Sequence, residues 1–368
     1  MTFIAPLLLT LDQAMENIKF SKAIQLAIEH SMMQDDRIVC FGLGVTDPKN
    51  IFGTTEGLEE KFSKDRVFDT PTSENAMTGI GIGMAIAGYR PIMCHQRLDF
   101  FLLAMDQLVN SAAKWHFMFG GAQNVPITIR LIIGRGWGQG PTHSQSLQSW
   151  FAHIPGLKVV MPSTAQDAYS LLKASISDPN PVIFLEHRWL HNSTSNYIDK
   201  ISIDKIGTAN ILKEGDHITL VCYSYICPEA LRASEYLKSI GISCEIIDLR
   251  SIKPIDWDCI FNSVKKTGRL IALDTASEIC SVSSEIVANV AINLFTSLLS
   301  PPTRLALPDS PEPTSYGLTK YFYYDAADIA IACIRSIGGI EINKDQIKAT
   351  IGIKIPHDIP GEWFTGPF

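Results

Sequence analysis

The chain has 368 residues, 46% of them apolar and 19% charged, a globular balance with length enough for two domains. Its formal charge is −7 and it has no long basic run, which argues against nucleic acid as a partner. No run of about 18 apolar residues occurs and the apolar patch 3–9 lacks a basic flank, so neither a membrane span nor a signal peptide is expected. The eight cysteines are scattered, with no Cys-x-x-Cys pair and no Cys/His cluster at ligand spacing. Reduced thiols in a cytoplasmic protein, without zinc, are the expectation.

Residues 11–35 carry apolar side chains at helical spacing and read as a helix. Residues 37–44 read as a buried strand ending in glycines, 52–62 as a loop and short helix, and 66–71 as a strand stopped by Pro71. Thr72 or Ser73 is placed to cap a helix over 76–88. Gly79-x-Gly81-x-Gly83 lies inside that helical pattern, not on a strand-to-helix turn. It therefore reads as close helix packing, not as a dinucleotide fingerprint. Strands over 90–94, 125–133, 157–162 and 181–186 then alternate with helices over 100–119, 146–152 and 164–177. That is the pattern of a parallel sheet with helices on both faces.

A polar stretch, 191–206, reads as a linker, and the alternation restarts after it. Strands are expected over 218–223, 243–248, 270–274 and 303–307, and helices over 227–240, 256–267, 282–299 and 326–337. The fold class is α/β: two open parallel-sheet sandwich domains, 11–190 and 207–338, followed by a tail, 339–368. The tail is rich in Pro, Gly and aromatics, and reads either as a disordered end or as a docked arm that clasps a partner.

Chemistry concentrates after the strand 125–133. Glycines at 134, 136, 138 and 140 alternate with Arg135, Trp137 and Gln139, and His143 follows. Glycines let the backbone approach a ligand, and a histidine there can serve as acid, base or donor. The same residues also make a plain flexible loop with an incidental histidine. Ligands of open α/β sheets sit at the carboxyl ends of the strands. Glu74, just past the strand 66–71, would share that crevice with His143; its alternative is a capping or surface acid. His95 and Gln96 read as loop polarity. Asp178-Pro179-Asn180-Pro181 is good turn chemistry whose carbonyls can also hold a cation.

Several collinear motifs carry a family resemblance. They are Arg66-Val67-Phe68-Asp69-Thr70-Pro71-x-Ser73-Glu74, Met105-Asp106-Gln107-x-x-Asn110-x-Ala112-Ala113-Lys114, Gly120-Gly121 and His143-Ser144-Gln145-Ser146. His153-Ile154-Pro155-Gly156-Leu157-Lys158-Val159-Val160-x-Pro162, Asp178-Pro179-Asn180-Pro181-Val182, Ile247-Asp248-Leu249-Arg250-x-x-Lys253-Pro254 and Lys265-Lys266-Thr267-Gly268-Arg269-Leu270 continue the series. From about residue 19 to 337 the chain resembles the β subunit of the thiamine-diphosphate-dependent decarboxylating component of 2-oxo acid dehydrogenase complexes. The resemblance implies a transketolase-like pyrimidine-binding domain and a transketolase C-terminal-like domain.

It also implies roles. Glu74 hydrogen-bonds the aminopyrimidine of thiamine diphosphate, Phe100 packs against that ring, and Gln96 joins the cofactor contacts. His143 lines the site and assists acyl transfer to a lipoyl group on an acyltransferase. Oxygens of Ile127, Ser175, Ile176, Asp178 and Asn180 hold a structural potassium ion. The Gly-Asp-Gly motif that binds the diphosphate and Mg²⁺ is absent from this chain. In the family it belongs to a separate α subunit, which implies an α2β2 heterotetramer with shared active sites. Arg97, Arg135, Trp137 and the stretch 186–189 depart from the common pyruvate and branched-chain patterns. Arg97 and Arg135 either bind an extra anionic group of the substrate or are surface or interface arginines. The alternative to the enzyme is a non-catalytic interaction subunit with the same fold.

Overall fold

The computed structural model describes residues 16–136, 138–197, 205–339, 341, 343–351 and 357–360. The first half runs β1 (Glu16–Lys19), α1 (Phe20–Gln34), β2 (Ile38–Gly42), α2 (Asn50–Gly53), α3 (Leu58–Phe62), β3 (Val67–Asp69), α4 (Glu74–Ile86), β4 (Arg90–His95) and α5 (Leu98–Phe101). It continues with α6 (Ala113–Met118), β5 (Thr128–Ile133), α7 (Gln148–His153), β6 (Lys158–Val160), α8 (Ala165–Ser177), β7 (Val182–His187) and β8 (Thr194–Tyr197). The second half runs β9 (Asn210–Lys213), β10 (Ile218–Cys222), α9 (Ile226–Ser239), β11 (Cys244–Asp248), β12 (Ser251–Lys253) and α10 (Trp257–Thr267). Then come β13 (Leu270–Ser277), α11 (Val282–Leu294), β14 (Thr303–Leu307), α12 (Tyr316–Phe322), α13 (Ala326–Ile337) and α14 (Lys344–Ile351).

The larger sheet has the order β12-β6-β7-β5-β4-β2-β3 and the smaller one β14-β13-β10-β11-β9. Every pairing in them is parallel except β12 with β6 and β9 with β11. β5 and β7 are buried at every position, as a parallel strand covered on both faces requires. Alternate residues feed two cores. Cys40, Ile92 and Phe184 meet Phe20, Ile24 and Ile28 of α1 and Leu172 of α8 on one face. Phe41, Met93 and Leu185 meet Met77 and Ile82 of α4 on the other.

Several expectations are corrected. The helix expected over 11–35 begins only at Phe20; residues 16–19 form a strand, and residues 11–15 lie outside the described residues. Their partner is β8, inside the expected linker 191–206, so that stretch starts as paired structure; residues 198–204 lie outside the described residues. A two-stranded ribbon that short has no period of its own; the pairing makes it. The helix expected over 100–119 is broken into α5, a 3-10 turn (Leu102–Ala104), a π-helical stretch (Gln107–Ala112) and α6. Ser73 holds the N-cap position of α4 without a side-chain capping bond.

β12 belongs by sequence to the second half yet extends the first sheet, and it fixes the two halves together. Beside it, Lys253 Nζ donates to the carbonyls of Ala152 and Ile154 at 2.6 and 2.8 Å. The buried Gln148 side chain of α7 donates to Asp274 Oδ1 at 2.8 Å, and Arg250 pairs with Asp167 at 2.9 Å. Among the described residues no helix is long and apolar enough to cross a membrane.

Candidate active site

Parallel register sends the loops after β2, β3, β4 and β5 out of one edge: Gly42 lies beside Asp69 and Cys94, and His95 beside Leu131. Three of these loops supply the expected site residues. Glu74, first residue of α4, is only 5% exposed, and its carboxylate makes no hydrogen bond or ion pair among the described residues. The carboxylate oxygens are not enclosed, so the acid faces the open edge with its acceptors free for a ligand.

Phe100 is 40% exposed at the same edge. Its ring and that of His143 meet edge to face, centroids 5.3 Å apart. Thr142 Oγ1 lies 3.0 Å from His143 Nδ1, which leaves Nε2 for a ligand. Asp99 ties the two loops together: its Oδ1 accepts from Gln145 Nε2 at 2.8 Å and from Gln145 N at 3.3 Å. Gln96 turns toward the loop after β2, donating to Asp47 Oδ2 at 3.1 Å. His95, read as loop polarity, is instead the buried last residue of β4, packed on Phe101; burial pushes its pKa down to about 3.

The glycine loop is corrected in what it receives. A side chain at Gly136 would overlap the Asp358 carbonyl, and one at Gly140 the Thr314 hydroxyl; both glycines have positive φ, +100° and +63°. They admit this chain's own second half and tail. Trp137 and residues 361–368 lie outside the described residues. Arg97 and Arg135 are not surface residues: they are 5% and 9% exposed. The Arg135 guanidinium lies 4.4, 5.2 and 3.9 Å from the rings of Trp189, Tyr225 and Tyr323.

Of the expected cation ligands, Ser175, Ile176, Asp178 and Asn180 lie at the end of α8 and the turn after it, while Ile127 directly precedes β5. Arg90 donates to the Ile176 carbonyl at 2.8 and 2.9 Å and to the Asp178 carbonyl at 2.9 Å. The Ile127 carbonyl accepts from Val182 N at 3.0 Å, and that of Ser175 from Asp178 N at 3.2 Å. Asn180 Oδ1 is buried without a partner. Sequence reading missed a buried network behind the site. Arg130 grips both Glu186 oxygens at 2.5 and 2.9 Å, and His191 Nε2 approaches Glu186 at 3.2 Å. Its only signal was a charge of each sign inside two otherwise apolar strands.

Fold and edge together define a transketolase-type pair of domains. Residues 16–193 match the transketolase pyrimidine binding domain and 207–329 the transketolase C-terminal domain. A split-gene transketolase, solved as an inactive beta4 tetramer, has the same fold: TM-score 0.70 at 18% identity, over 87% of this chain and 98% of that one. Pyruvate dehydrogenase E1 component subunit beta-1, mitochondrial, of Oryza sativa subsp. japonica is 37% identical over 89% of this chain and 88% of its own length. The subunit beta of acetoin:2,6-dichlorophenolindophenol oxidoreductase of Cupriavidus necator is 38% identical over 86% of this chain and 96% of its own. The chain belongs to the family of E1 β subunits of 2-oxo acid dehydrogenases.

Proposed function

We propose that the chain is the catalytic β subunit of a thiamine-diphosphate-dependent 2-oxo acid dehydrogenase and contributes half of each active site. The observation that carries this is Glu74, a largely buried residue whose carboxylate has no partner among the described residues, on the sheet edge that also presents Phe100 and His143. These residues fit the cofactor's aminopyrimidine: a carboxyl for its ring nitrogen and an exposed aromatic face to pack on it. When bound, thiamine diphosphate supplies the electron sink for loss of CO2 from the 2-oxo acid. Glu74 holds a proton against the aminopyrimidine nitrogen. Phe100 positions the ring. His143 hydrogen-bonds the acyl oxygen and guides transfer to a lipoyl group of an acyltransferase.

The chain has no Gly-Asp-Gly, which supports a separate α subunit bearing that motif, the Mg²⁺ and the diphosphate contacts, in an α2β2 heterotetramer. For potassium at the turn 175–180 the fit is incomplete. Asn180 Oδ1 is unsatisfied among the described residues, but the Arg90 guanidinium places two N–H groups on the Ile176 carbonyl and one on the Asp178 carbonyl, so an ion there would have to displace it. The residues that would hold the ion are Ile127, Ser175, Ile176, Asp178 and Asn180. All eight cysteines are free, which suits a reducing compartment, the cytoplasm or the mitochondrial interior that the rice relative's name gives.

The test is co-expression with a Gly-Asp-Gly-bearing α subunit and an assay of decarboxylation over a panel of 2-oxo acids. Turnover that disappears in Glu74→Gln supports the reading. No cofactor binding and no turnover with any α subunit leaves the non-catalytic alternative.

A further inference from the structure

Behind the loop that carries His143, the two halves of the chain enclose a cavity lined by Gly134, Arg135, Ser144, His187, Thr275 and Tyr323, among others. Arg135 donates from Nη2 to the Tyr225 hydroxyl, but among the described residues its Nε and Nη1 are buried without partners. Arg97 donates from Nη2 to Gln139 at 2.8 Å, and its Nη1 is also buried without a partner. Arg97 is not part of the lining: its Nη1 lies 3.7 Å from where a Cβ on Gly134 would be, on the side of Gly134 that meets Arg188, so Arg135 is the guanidinium that faces the cavity. Neither arginine has an ion-pair partner among the described residues. Asp274, on the opposite wall, is spent on Gln148 Nε2, Ala276 N and Ser283 N at 2.8, 2.9 and 2.9 Å.

Stacked aromatic rings ease the burial of a guanidinium but leave its N–H groups unsatisfied. A buried charge of this kind calls for a counter-charge that brings acceptor atoms. The rest of the wall can donate. Burial drives His187 far below its ordinary pKa, with Arg135 adding to the effect, so the ring is neutral. Its Nδ1 accepts from Trp189 N at 3.2 Å, which puts the proton on Nε2. Ser144 and Thr275 add hydroxyls. About 20 Å³ is open to the centre of a water-sized group, which suits a compact headgroup and not a nucleotide.

We propose that this junction cavity binds one compact oxyanion, a carboxylate or phosphate group, held by Arg135 with His187 and the lining hydroxyls. Occupancy clamps the loop 134–146 against the second half of the chain and so sets the position of His143 from behind. The occupant is either the distal anionic group of the substrate or a free anion. The shared chemistry is the same, and the site stands whether or not the decarboxylation reading does.

The first test uses the full chain alone and needs no turnover. It is melted in rising sodium phosphate, and separately in sodium acetate, with ionic strength held by the sodium salt of a bulky sulfonate buffer. A saturable rise in melting midpoint in wild type, lost in Arg135→Gln, is the expected result. Ser144→Ala removes a lining hydroxyl, leaves the aromatic stack on Arg135 intact and should raise the half-saturating concentration severalfold, which covers the case where Arg135→Gln does not fold. Equal, unsaturating shifts in wild type and both variants overturn the proposal. In the assembled enzyme, phosphate that competes with a 2-oxo acid bearing a second carboxylate assigns the site to the substrate. Phosphate that changes kcat without competing assigns it to a free anion.

Discussion

Phe100 and His143 stand edge to face, ring centroids 5.3 Å apart at an interplanar angle of 90°. The contact joins the loop after β4 to the loop after β5, so the ring that would pack on the cofactor also steadies the histidine that would act on the acyl group. An aromatic pair of this kind is worth about 0.5–1.5 kcal/mol beyond its buried area. Phe100→Leu should therefore lower kcat of the assembled enzyme by roughly twofold to tenfold and weaken thiamine diphosphate binding. Phe100→Tyr should retain both. Unchanged kcat and cofactor affinity in Phe100→Leu would detach this ring from the site.

Glu74→Gln keeps shape and hydrogen bonding but cannot hold or give up the proton. Turnover should fall by about 10²–10⁴-fold, the usual worth of a positioned acid or base. The carboxylate has no partner among the described residues, so urea stability and assembly with the α subunit should stay at wild-type levels. A stability loss without an activity loss would make Glu74 a structural acid.

The site was legible in the sequence where it rests on long motifs. Glu74, Phe100 and His143 each follow a strand that alternation alone locates, and parallel register then brings their loops to one edge. What was not legible depends on pairing across the chain. β12 has three residues and β1 four, too short to show a period, and each exists because a distant strand, β6 or β8, is in place to receive it. The destination of the glycine loop was hidden for the same reason. Open backbone is visible in the sequence, but Thr314 and Asp358, which fill it, are far along the chain. For Arg97 and Arg135 the sequence left an anion-binding role and a surface or interface role both open, because only the folded junction buries them.

The Arg130–Glu186 pair is fully enclosed in the first sheet. Burial alone would raise the Glu186 pKa; Arg130, helped by His191, overcomes this and holds it at about 2. Removing one partner leaves an uncompensated charge, so Glu186→Gln should cost about 3–5 kcal/mol in urea unfolding. The folded pKa lies below the ordinary value of 4.5, so the pair's contribution is whole above that pH and is lost as pH falls toward about 2. A Glu186→Gln variant as stable as wild type at neutral pH would show that the pair adds nothing net.

Acid should weaken the fold well before the carboxylates titrate. His95 is buried, and its pKa falls from 6.5 to about 3 because burial penalises the charged ring. Below pH 6.5 the unfolded chain binds a proton there that the folded chain refuses, so this contribution is whole above that pH and drains as pH drops toward about 3. The slope is about 1.4 kcal/mol per pH unit for one such group. His187 is lowered in the same sense and adds to it. Among the described residues neither ring nitrogen of His95 has a partner, so His95→Leu forfeits no hydrogen bond there. At pH 5 that variant should gain about 2 kcal/mol relative to its own difference from wild type at pH 7. Urea midpoints that run parallel for both proteins between those pH values would show that His95 is not the source.

Gly136→Ala tests whether the tail is held on the site loop. The position has φ near +100°, and an added Cβ would meet the Asp358 carbonyl, so neither the loop nor the tail can stay as it is. Asp358 lies one residue after His357, whose Nε2 is 2.6 Å from the Thr319 hydroxyl and whose ring packs on Tyr316 at 4.1 Å. Displacing Asp358 should therefore strain the contact of this segment with α12 as well. The expected outcome is faster tryptic cleavage in the last 30 or so residues with little change in the global melting midpoint, because loop ends open without the core. His357→Ala removes the second anchor without touching the glycine loop and should expose the tail by itself. If both variants are cut at the wild-type rate, the segment 357–360 is not what holds the tail to the loop before His143.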